Sequence, residues 1–182
     1  LRRGRRAVKG KLLACFIVLC GLMGGAAMYY LQVYAFYRTV SQNGSIDVML
    51  VNKLNAQSEP IAYYEFQAID SDSSPIRYRA CFKTETSVEA LSIKYKVIED
   101  AIPLNAPNWF ECFDSQKIGT AIENGEAVSF LSIKNLTYGI DRIVTILPSG
   151  QGYAWNQINH CGKRAFDGKS LPEHCKPPPE SF

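Results

Sequence analysis

Two His-Cys dipeptides are the strongest metal-ligand pattern in this chain. They are His160-Cys161 and His174-Cys175, and they contain both of its histidines. A Cys₂His₂ set has the ligand types that bind zinc or copper. Adjacent side chains of an extended segment point to opposite faces, however, so both members of one dipeptide rarely reach the same ion. Disulfides therefore account for these cysteines better than a metal does, and no Cys-x-x-Cys-His haem-attachment motif is present.

Four of the six cysteines lie beyond residue 80, namely Cys81, Cys112, Cys161 and Cys175. An even number of cysteines in a compartment that permits disulfides indicates a disulfide framework. Three pairings are possible. We favour Cys161–Cys175, which closes a short C-terminal loop, together with Cys81–Cys112. The remaining two, Cys15 and Cys20, lie in an apolar run and are expected to be buried free thiols.

Common catalytic motifs are missing from the sequence. It has no phosphate-binding Gly-rich loop, no Gly-x-Ser-x-Gly and no His-Glu-x-x-His. Asp70 and Asp72 begin like a calcium-binding loop, but Pro75 stands where the glycine is required and Cys81 where the acidic ligand is required. We expect a capped turn there. The sequence therefore predicts a non-catalytic protein without a cofactor.

Eight polar and aromatic residues are candidates for an interaction face. They are Tyr153, Trp155, Gln157 and Asn159, together with Arg77, Arg79, Asp141 and Arg142. The first four alternate along one predicted strand and therefore share a face. Such a strip suits a groove or a protein interface, and an ordinary half-exposed sheet is the simpler alternative.

An N-terminal apolar run predicts how the chain is anchored. Residues 12–31 are uncharged and mostly apolar, and a helix of that length rises about 30 Å, enough to cross a bilayer. Six cations precede the run: Arg2, Arg3, Arg5, Arg6, Lys9 and Lys11. Such cations are retained in the cytoplasm, so we expect a single pass with the N-terminus inside and the domain outside. Gly25, Ala26 and Ala27 also suit a signal-peptide cleavage site, but the apolar run continues to Leu31, which favours a retained anchor.

The distribution of charged residues and the spacing of two glycines indicate which partners the chain binds. Six of the 20 Lys and Arg precede Leu12, which leaves 14 against 17 Asp and Glu and a net charge of about −3 beyond the anchor. The basic N-terminus is thus a topology signal, and we expect a lipid bilayer and no nucleic acid as partner. Gly21 and Gly25 have the small-xxx-small spacing of helix contacts, although glycine is also simply common in membrane helices. We expect other membrane-protein subunits to be partners.

The chain is predicted to consist of five parts. These are a basic cytoplasmic N-terminus (1–11), a transmembrane helix (12–31), an aromatic juxtamembrane segment with a hinge (32–45), a domain (46–175) and a Pro-rich tail (176–182). Strands are expected at 46–54, 76–83 and 127–133, a strand or short helix at 60–69, and a hairpin from 140–147 and 153–159. Helices are expected at 86–95 and 115–124, with Ser87 and Asp114 as caps. This mixture without regular β-α-β alternation predicts an α+β class: a disulfide-bonded antiparallel sheet with two short helices.

Several stretches carry a resemblance to a known family. They are Tyr29-Tyr30-Leu31-Gln32-Val33-Tyr34, Phe66-Gln67-Ala68-Ile69-Asp70, Ser73-Ser74-Pro75-Ile76-Arg77-Tyr78-Arg79-Ala80-Cys81-Phe82, Tyr138-Gly139-Ile140-Asp141-Arg142 and Gly152-Tyr153-Ala154-Trp155. The chain resembles an uncharacterised alphaproteobacterial family of small membrane-anchored proteins. The resemblance implies a Gram-negative inner membrane and a periplasmic domain, and it implies no catalytic residue. Members are sometimes labelled histidine kinases, whereas this chain has no kinase nucleotide motif.

Two functions follow as hypotheses. The first is a non-catalytic accessory or assembly subunit of a larger respiratory or photosynthetic membrane complex. The second is a stand-alone periplasmic ligand-binding or sensing domain, with the face of Tyr153, Trp155 and Gln157 lining a pocket.

Overall fold

A computed structural model of the chain describes residues 2–179, with side chains from Gly10 onwards. The chain divides into two units between Tyr37 and Arg38. The side chains of the first five cations of the basic N-terminus and residues 180–182 of the expected tail lie outside the described residues.

The first unit is an apolar helix that is long enough to span a membrane. Helix α1 (Arg2–Tyr30) continues as a π-helical segment (Leu31–Ala35). Its apolar part, Gly10–Ala35, has a mean hydropathy of 2.1, and almost all of its side chains are exposed. The helix therefore extends into the predicted juxtamembrane segment. Cys15 and Cys20 are free thiols, as expected, but they are exposed on this helix rather than buried in the protein.

A six-stranded antiparallel sheet forms the second unit, with strand order β1-β4-β5-β8-β7-β6. Its strands are β1 (Arg38–Val40), β4 (Tyr64–Asp70), β5 (Arg79–Lys83), β6 (Val128–Thr137), β7 (Ile140–Ile146) and β8 (Gln151–Ile158). Strands β2 (Met49–Val51) and β3 (Ser58–Pro60) pair separately as a two-stranded sheet. The architecture confirms the predicted α+β class.

Three short helices complete this unit: α2 (Val88–Lys94), α3 (Ser115–Glu123) and α4 (His160–Phe166). The first two are the predicted helices, because the Ser87 hydroxyl accepts from the Ala90 amide and the Asp114 carboxylate accepts from the amides of Gln116 and Lys117. Helix α4 corrects the expectation of two helices in the domain. Asn159 caps it by accepting a hydrogen bond from the Gly162 amide.

Strand boundaries differ from the prediction at the N-terminal side of the domain. The segment 46–54 is a strand only over Met49–Val51, and the expected hinge region contributes β1, which pairs with β4 from Arg38↔Asp70 to Val40↔Ala68. The folded unit thus begins before residue 46. The hairpin of β7 and β8 is confirmed, with Ile140 opposite Ile158 and Ile146 opposite Gly152.

One face of the sheet packs on α2 and the β2–β3 pair. Phe82, Phe130 and Val144 from the sheet join Leu91 of α2 and Leu50 of β2 in this core, and each of them is at most 2% exposed. A glycine is required at position 152 because a Cβ there would lie 2.2 Å from the Phe82 ring.

The opposite face is covered by the chain between residues 96 and 114, most of which has no regular secondary structure. Its end is tied to β5 by the Cys81–Cys112 disulfide, with a Cα–Cα distance of 6.3 Å. The second disulfide joins Cys161 and Cys175. Both predicted pairings are confirmed, and two disulfides indicate an oxidising compartment.

Candidate functional site

Strand register decides which of the candidate interaction residues lie together. Trp155 of β8 stands opposite Arg79 of β5 and Ile143 of β7, and Gln157 stands opposite Asp141. Residues directly opposite in an antiparallel pair project to the same face. Arg79, Asp141, Trp155 and Gln157 therefore share the face that the irregular segment covers, whereas Arg142 projects to the other face.

Trp155 does not belong to an open surface. Its side chain is 0% exposed, and its ring packs edge-on against Phe113, with centroids 6.2 Å apart. Tyr153 is half-buried against the same ring, and burial, followed by the nearby charge of Asp114, raises its pKa. The prediction of an interaction face is wrong for Trp155, because the strip Tyr153-Trp155-Gln157 lies under the irregular segment.

Gln157 holds the irregular segment to β8. Its Oε1 accepts from the Ile102 backbone amide at 2.7 Å, and its Nε2 donates to the Asp100 carbonyl at 2.7 Å. The Trp155 indole Nε1 donates to the same Oε1 at 3.4 Å. The side chain is 8% exposed. Its amide is thus engaged through both polar atoms inside the protein.

Arg79 holds the same irregular segment to β5. It is 4% exposed, and its guanidinium donates to the Leu104 and Asn105 carbonyls of the irregular segment, both at 2.9 Å. It also donates to the Ile76 and Tyr78 carbonyls, and it lies 5.7 Å from the centre of the Phe113 ring. A planar fork of five donors suits several carbonyls at once. We call Arg79 and Gln157 the clamp pair.

Asn159 and Asp141 form a second internal network. The Asn159 Nδ2 donates to Asp141 Oδ1 and to Asn135 Oδ1, both at 2.9 Å, while its Oδ1 caps α4. Asp141 Oδ1 also accepts from the Asn135 backbone amide at 2.7 Å. The predicted residues Asn159 and Asp141 are therefore brought together, and their contacts hold the adjoining ends of β6 and β7 to the start of α4.

The remaining two candidates, Arg142 and Arg77, lie away from this network. The Arg142 guanidinium lies 3.7 Å over the Tyr78 ring, and its Nε donates to Asn156 Oδ1 at 2.9 Å. Burial raises the pKa of Tyr78 to about 12, and the positive charge of Arg142 opposes that rise. Arg77 is half-buried in the turn before β5, where its amide donates to the Ser74 carbonyl.

The turn after β4 is capped, as predicted. The Asp70 carboxylate accepts from the Ser71 amide at 2.8 Å, and Arg38 pairs with Asp72 at 3.0 Å. A cavity of about 490 Å³ lies beside this turn and is lined by Arg38, Asp47, Tyr78 and Arg142 among others. Its charged side chains are bound to neighbours: Arg38 pairs with Asp72, Asp47 accepts from Tyr63, and Arg142 donates to Asn156.

A larger groove of about 750 Å³ lies where β6, β7 and β8 meet the C-terminal segment. This volume falls in the range of small-molecule sites. The apolar part of its lining is Ile98, Leu131, Ile143, Pro177 and Pro179. Gln157, Asn159 and Asp141 also line it, although they are engaged as described above.

Three lysines supply the groove with available donors. Lys96, Lys134 and Lys176 line it and are exposed, and within residues 10–179 no hydrogen bond or ion pair engages their ammonium groups. Two acidic residues, Asp100 and Asp141, line the same groove. Sequence reasoning missed the lysines because they are scattered along the chain and no local motif joins them. The groove is the candidate site.

Comparison with known proteins gives a family and no activity. Residues 48–176 match the family model of DUF6446, a family of unknown function. The chain belongs to the DUF6446 family. No curated protein and no solved structure matches it. The DUF6446 match contains the clamp pair, the four disulfide-bonded cysteines and the three groove lysines, so the candidate site lies within the family domain apart from Pro177 and Pro179 of its lining.

Replacing Arg79 tests the clamp in this DUF6446 domain. Arg79→Met should lower the free energy of unfolding by about 3 kcal/mol, because buried carbonyls lose charged donors. The measurement is urea unfolding of the full chain in detergent micelles, followed by tryptophan fluorescence. The matched control is Arg164→Met, since the Arg164 guanidinium donates to the Ser170 carbonyl and hydroxyl in exposed hydrogen bonds, and it should cost less than about 1 kcal/mol. Equal losses in the two variants would show that Arg79 is not a clamp.

Proposed function

We propose that the protein is a non-catalytic, membrane-anchored binding protein whose groove takes a small anionic ligand. One contrast carries the proposal. The amides of Gln157 and Asn159 are engaged inside the protein, whereas Lys96, Lys134 and Lys176 offer ammonium groups to the same space. Donors with charge form the stronger hydrogen bonds, and they select carboxylate or phosphate groups.

The charge of the rest of the domain supports a small ligand rather than a polymer. Beyond the anchor the chain carries a net charge of about −3, which repels a long polyanion. Positive charge is concentrated locally, where three lysines line the groove with two acidic residues. Ile98, Pro177 and Pro179, which are half-buried or exposed, add apolar surface for the uncharged part of such a ligand.

We also propose the location. The protein would cross the inner membrane of an alphaproteobacterium once, with the N-terminus in the cytoplasm and the domain in the periplasm. The cations before the apolar helix support this orientation. Two disulfides support an oxidising compartment for the domain.

Thermal unfolding of the full chain in detergent micelles tests the groove. The probes are inorganic phosphate, citrate and a triglutamate peptide. A probe present at 100 times its Kd should raise Tm by roughly 8 °C, because it adds about 2.7 kcal/mol to the free energy of unfolding. The triple variant Lys96→Ala, Lys134→Ala and Lys176→Ala should lose the rise.

The matched control removes the same charge elsewhere. Lys53→Ala, Lys117→Ala and Lys163→Ala replace three lysines outside the groove lining, and the rise in Tm should persist in that variant. A rise that disappears equally in both triple variants would be a general charge effect, and no rise with any probe would reject the anion site.

An accessory or assembly subunit of a respiratory or photosynthetic membrane complex is the second candidate function. Its support is the open face of α1, where a Cβ placed on Gly21 or Gly25 would meet nothing within 4 Å. Such a surface permits close approach of another membrane helix.

Purification of the tagged chain from native membranes in mild detergent tests this second candidate. We expect a partner at a defined stoichiometry, lost in the variant Gly21→Leu, Gly25→Leu and kept in Leu19→Phe, which enlarges the opposite face of the helix. Recovery of the wild-type chain as a free monomer or dimer would contradict the accessory role.

A further inference from the structure

The Cys161–Cys175 disulfide gathers both histidines of the chain. Each cysteine directly follows a histidine in sequence, and the bond brings their Cα atoms to 5.6 Å. The rings of His160 and His174 consequently stack, with centroids 6.0 Å apart and planes 17° from parallel. A Cys₂His₂ set is therefore assembled at one edge of the groove, which these residues also line, apart from Cys175.

Three of the four ligand residues are close enough to share an ion, since one atom each from Cys161, His174 and Cys175 lie within 4.8 Å of one another. His160 lies outside that group and approaches it through the ring stack with His174. The His160-Cys161 dipeptide is helical rather than extended, because it opens helix α4. Successive side chains there are about 100° apart around the axis rather than on opposite faces.

We propose that the reduced form of this site binds one Zn²⁺ through Cys161, Cys175, His174 and His160. A dithiol reductant donates two electrons, the sulfur–sulfur bond breaks, and the reductant becomes a disulfide while both cysteines become thiols. Each thiol then releases a proton as it binds the ion, because the thiolate is the ligand. The disulfide form lacks these two ligands, so the bond acts as a redox gate. This inference goes beyond the proposed anion site and does not depend on it.

Local packing shows which part of the site moves. Two thiolates on a tetrahedral Zn²⁺ lie about 3.8 Å apart, so the sulfurs must separate by roughly 2 Å on reduction. Cys161 is fixed with α4, since Gly162 packs so closely on Gly139 that a Cβ on Gly162 would lie 2.2 Å from the Gly139 carbonyl oxygen. His174 and Cys175 lie in a turn outside the helices and strands. The adjustment therefore falls on the turn.

The two disulfides are alike in exposure, because each joins a half-buried cysteine (Cys161 or Cys112) to a buried one (Cys175 at 7% or Cys81 at 3%). They differ in backbone, since Cys175 lies in a turn whereas Cys81 lies within β5. A mild phosphine reductant should therefore open Cys161–Cys175 first. Alkylation and mass spectrometry will identify which thiols appear.

The test is a cobalt titration of the full chain in detergent micelles. Cys15→Ala and Cys20→Ala first remove the two free thiols. Co²⁺ then serves as a spectroscopic substitute for Zn²⁺. After mild reduction we expect a thiolate-to-cobalt charge-transfer band and tetrahedral ligand-field bands that saturate at one equivalent and disappear when Zn²⁺ is added. The oxidised protein should give neither.

Variants separate the site from other thiols. His174→Ala should weaken cobalt binding by at least about tenfold, whereas Lys163→Ala on the exposed side of α4 should leave it unchanged. The absence of a charge-transfer band in the reduced protein would overturn the proposal. So would the same band in Cys161→Ala, Cys175→Ala, or equal affinity in His174→Ala. The oxidised and reduced forms of the protein that keeps Cys161 and Cys175 can be compared without any change at the site. A folding defect in one variant would therefore not remove the test.

Discussion

The hydrogen bonding of peptide groups in an irregular segment that covers the sheet is the constraint on which this domain depends. The chain between residues 96 and 114 covers one face of the main sheet, and most of it forms neither helix nor strand. Buried backbone groups without partners are costly. Arg79 and Gln157 supply those partners from the neighbouring strands β5 and β8, and the Cys81–Cys112 bond fixes the end of the segment. Trp155 can be fully buried only because this cover is held in place.

This constraint separates the polar residues by role. A side chain whose donors and acceptors are already engaged gains little from a ligand, so Gln157 and Asn159 are best understood as structural groups although they line the groove. The lysines that line the same groove are exposed and available. The polar atoms that remain accessible are therefore the basis for the function proposed for this DUF6446 domain. The two His-Cys dipeptides add a proposed zinc site at the edge of the groove.

Local signals were sufficient for part of the fold. Ser87 and Asp114 marked two helix starts, and the Pro/Gly turn marked the β7–β8 hairpin. The burial of Trp155 could not be predicted, because alternation along a strand does not reveal whether a distant irregular segment covers that face. Strand β1 was missed for the same reason, since its pairing with β4 spans about 30 residues. Helix α4 does have a local signal, because Asn159 is a good helix cap. That signal was missed because Asn159 had been assigned to the preceding strand. The groove lysines come from three separate segments, so only the folded chain brings them together.

Hydrogen exchange at the Ile102 backbone amide tests the central claim most directly. The Ile102 side chain is 55% exposed and lies in the irregular segment, yet its amide donates to the buried Gln157 side chain. Residue-resolved exchange on the full chain in micelles should therefore show that this amide exchanges more than about 100-fold slower than in an unstructured peptide. Exchange at the unstructured rate would mean that the segment is not clamped, and the assignment of Arg79 and Gln157 as its anchors would be wrong.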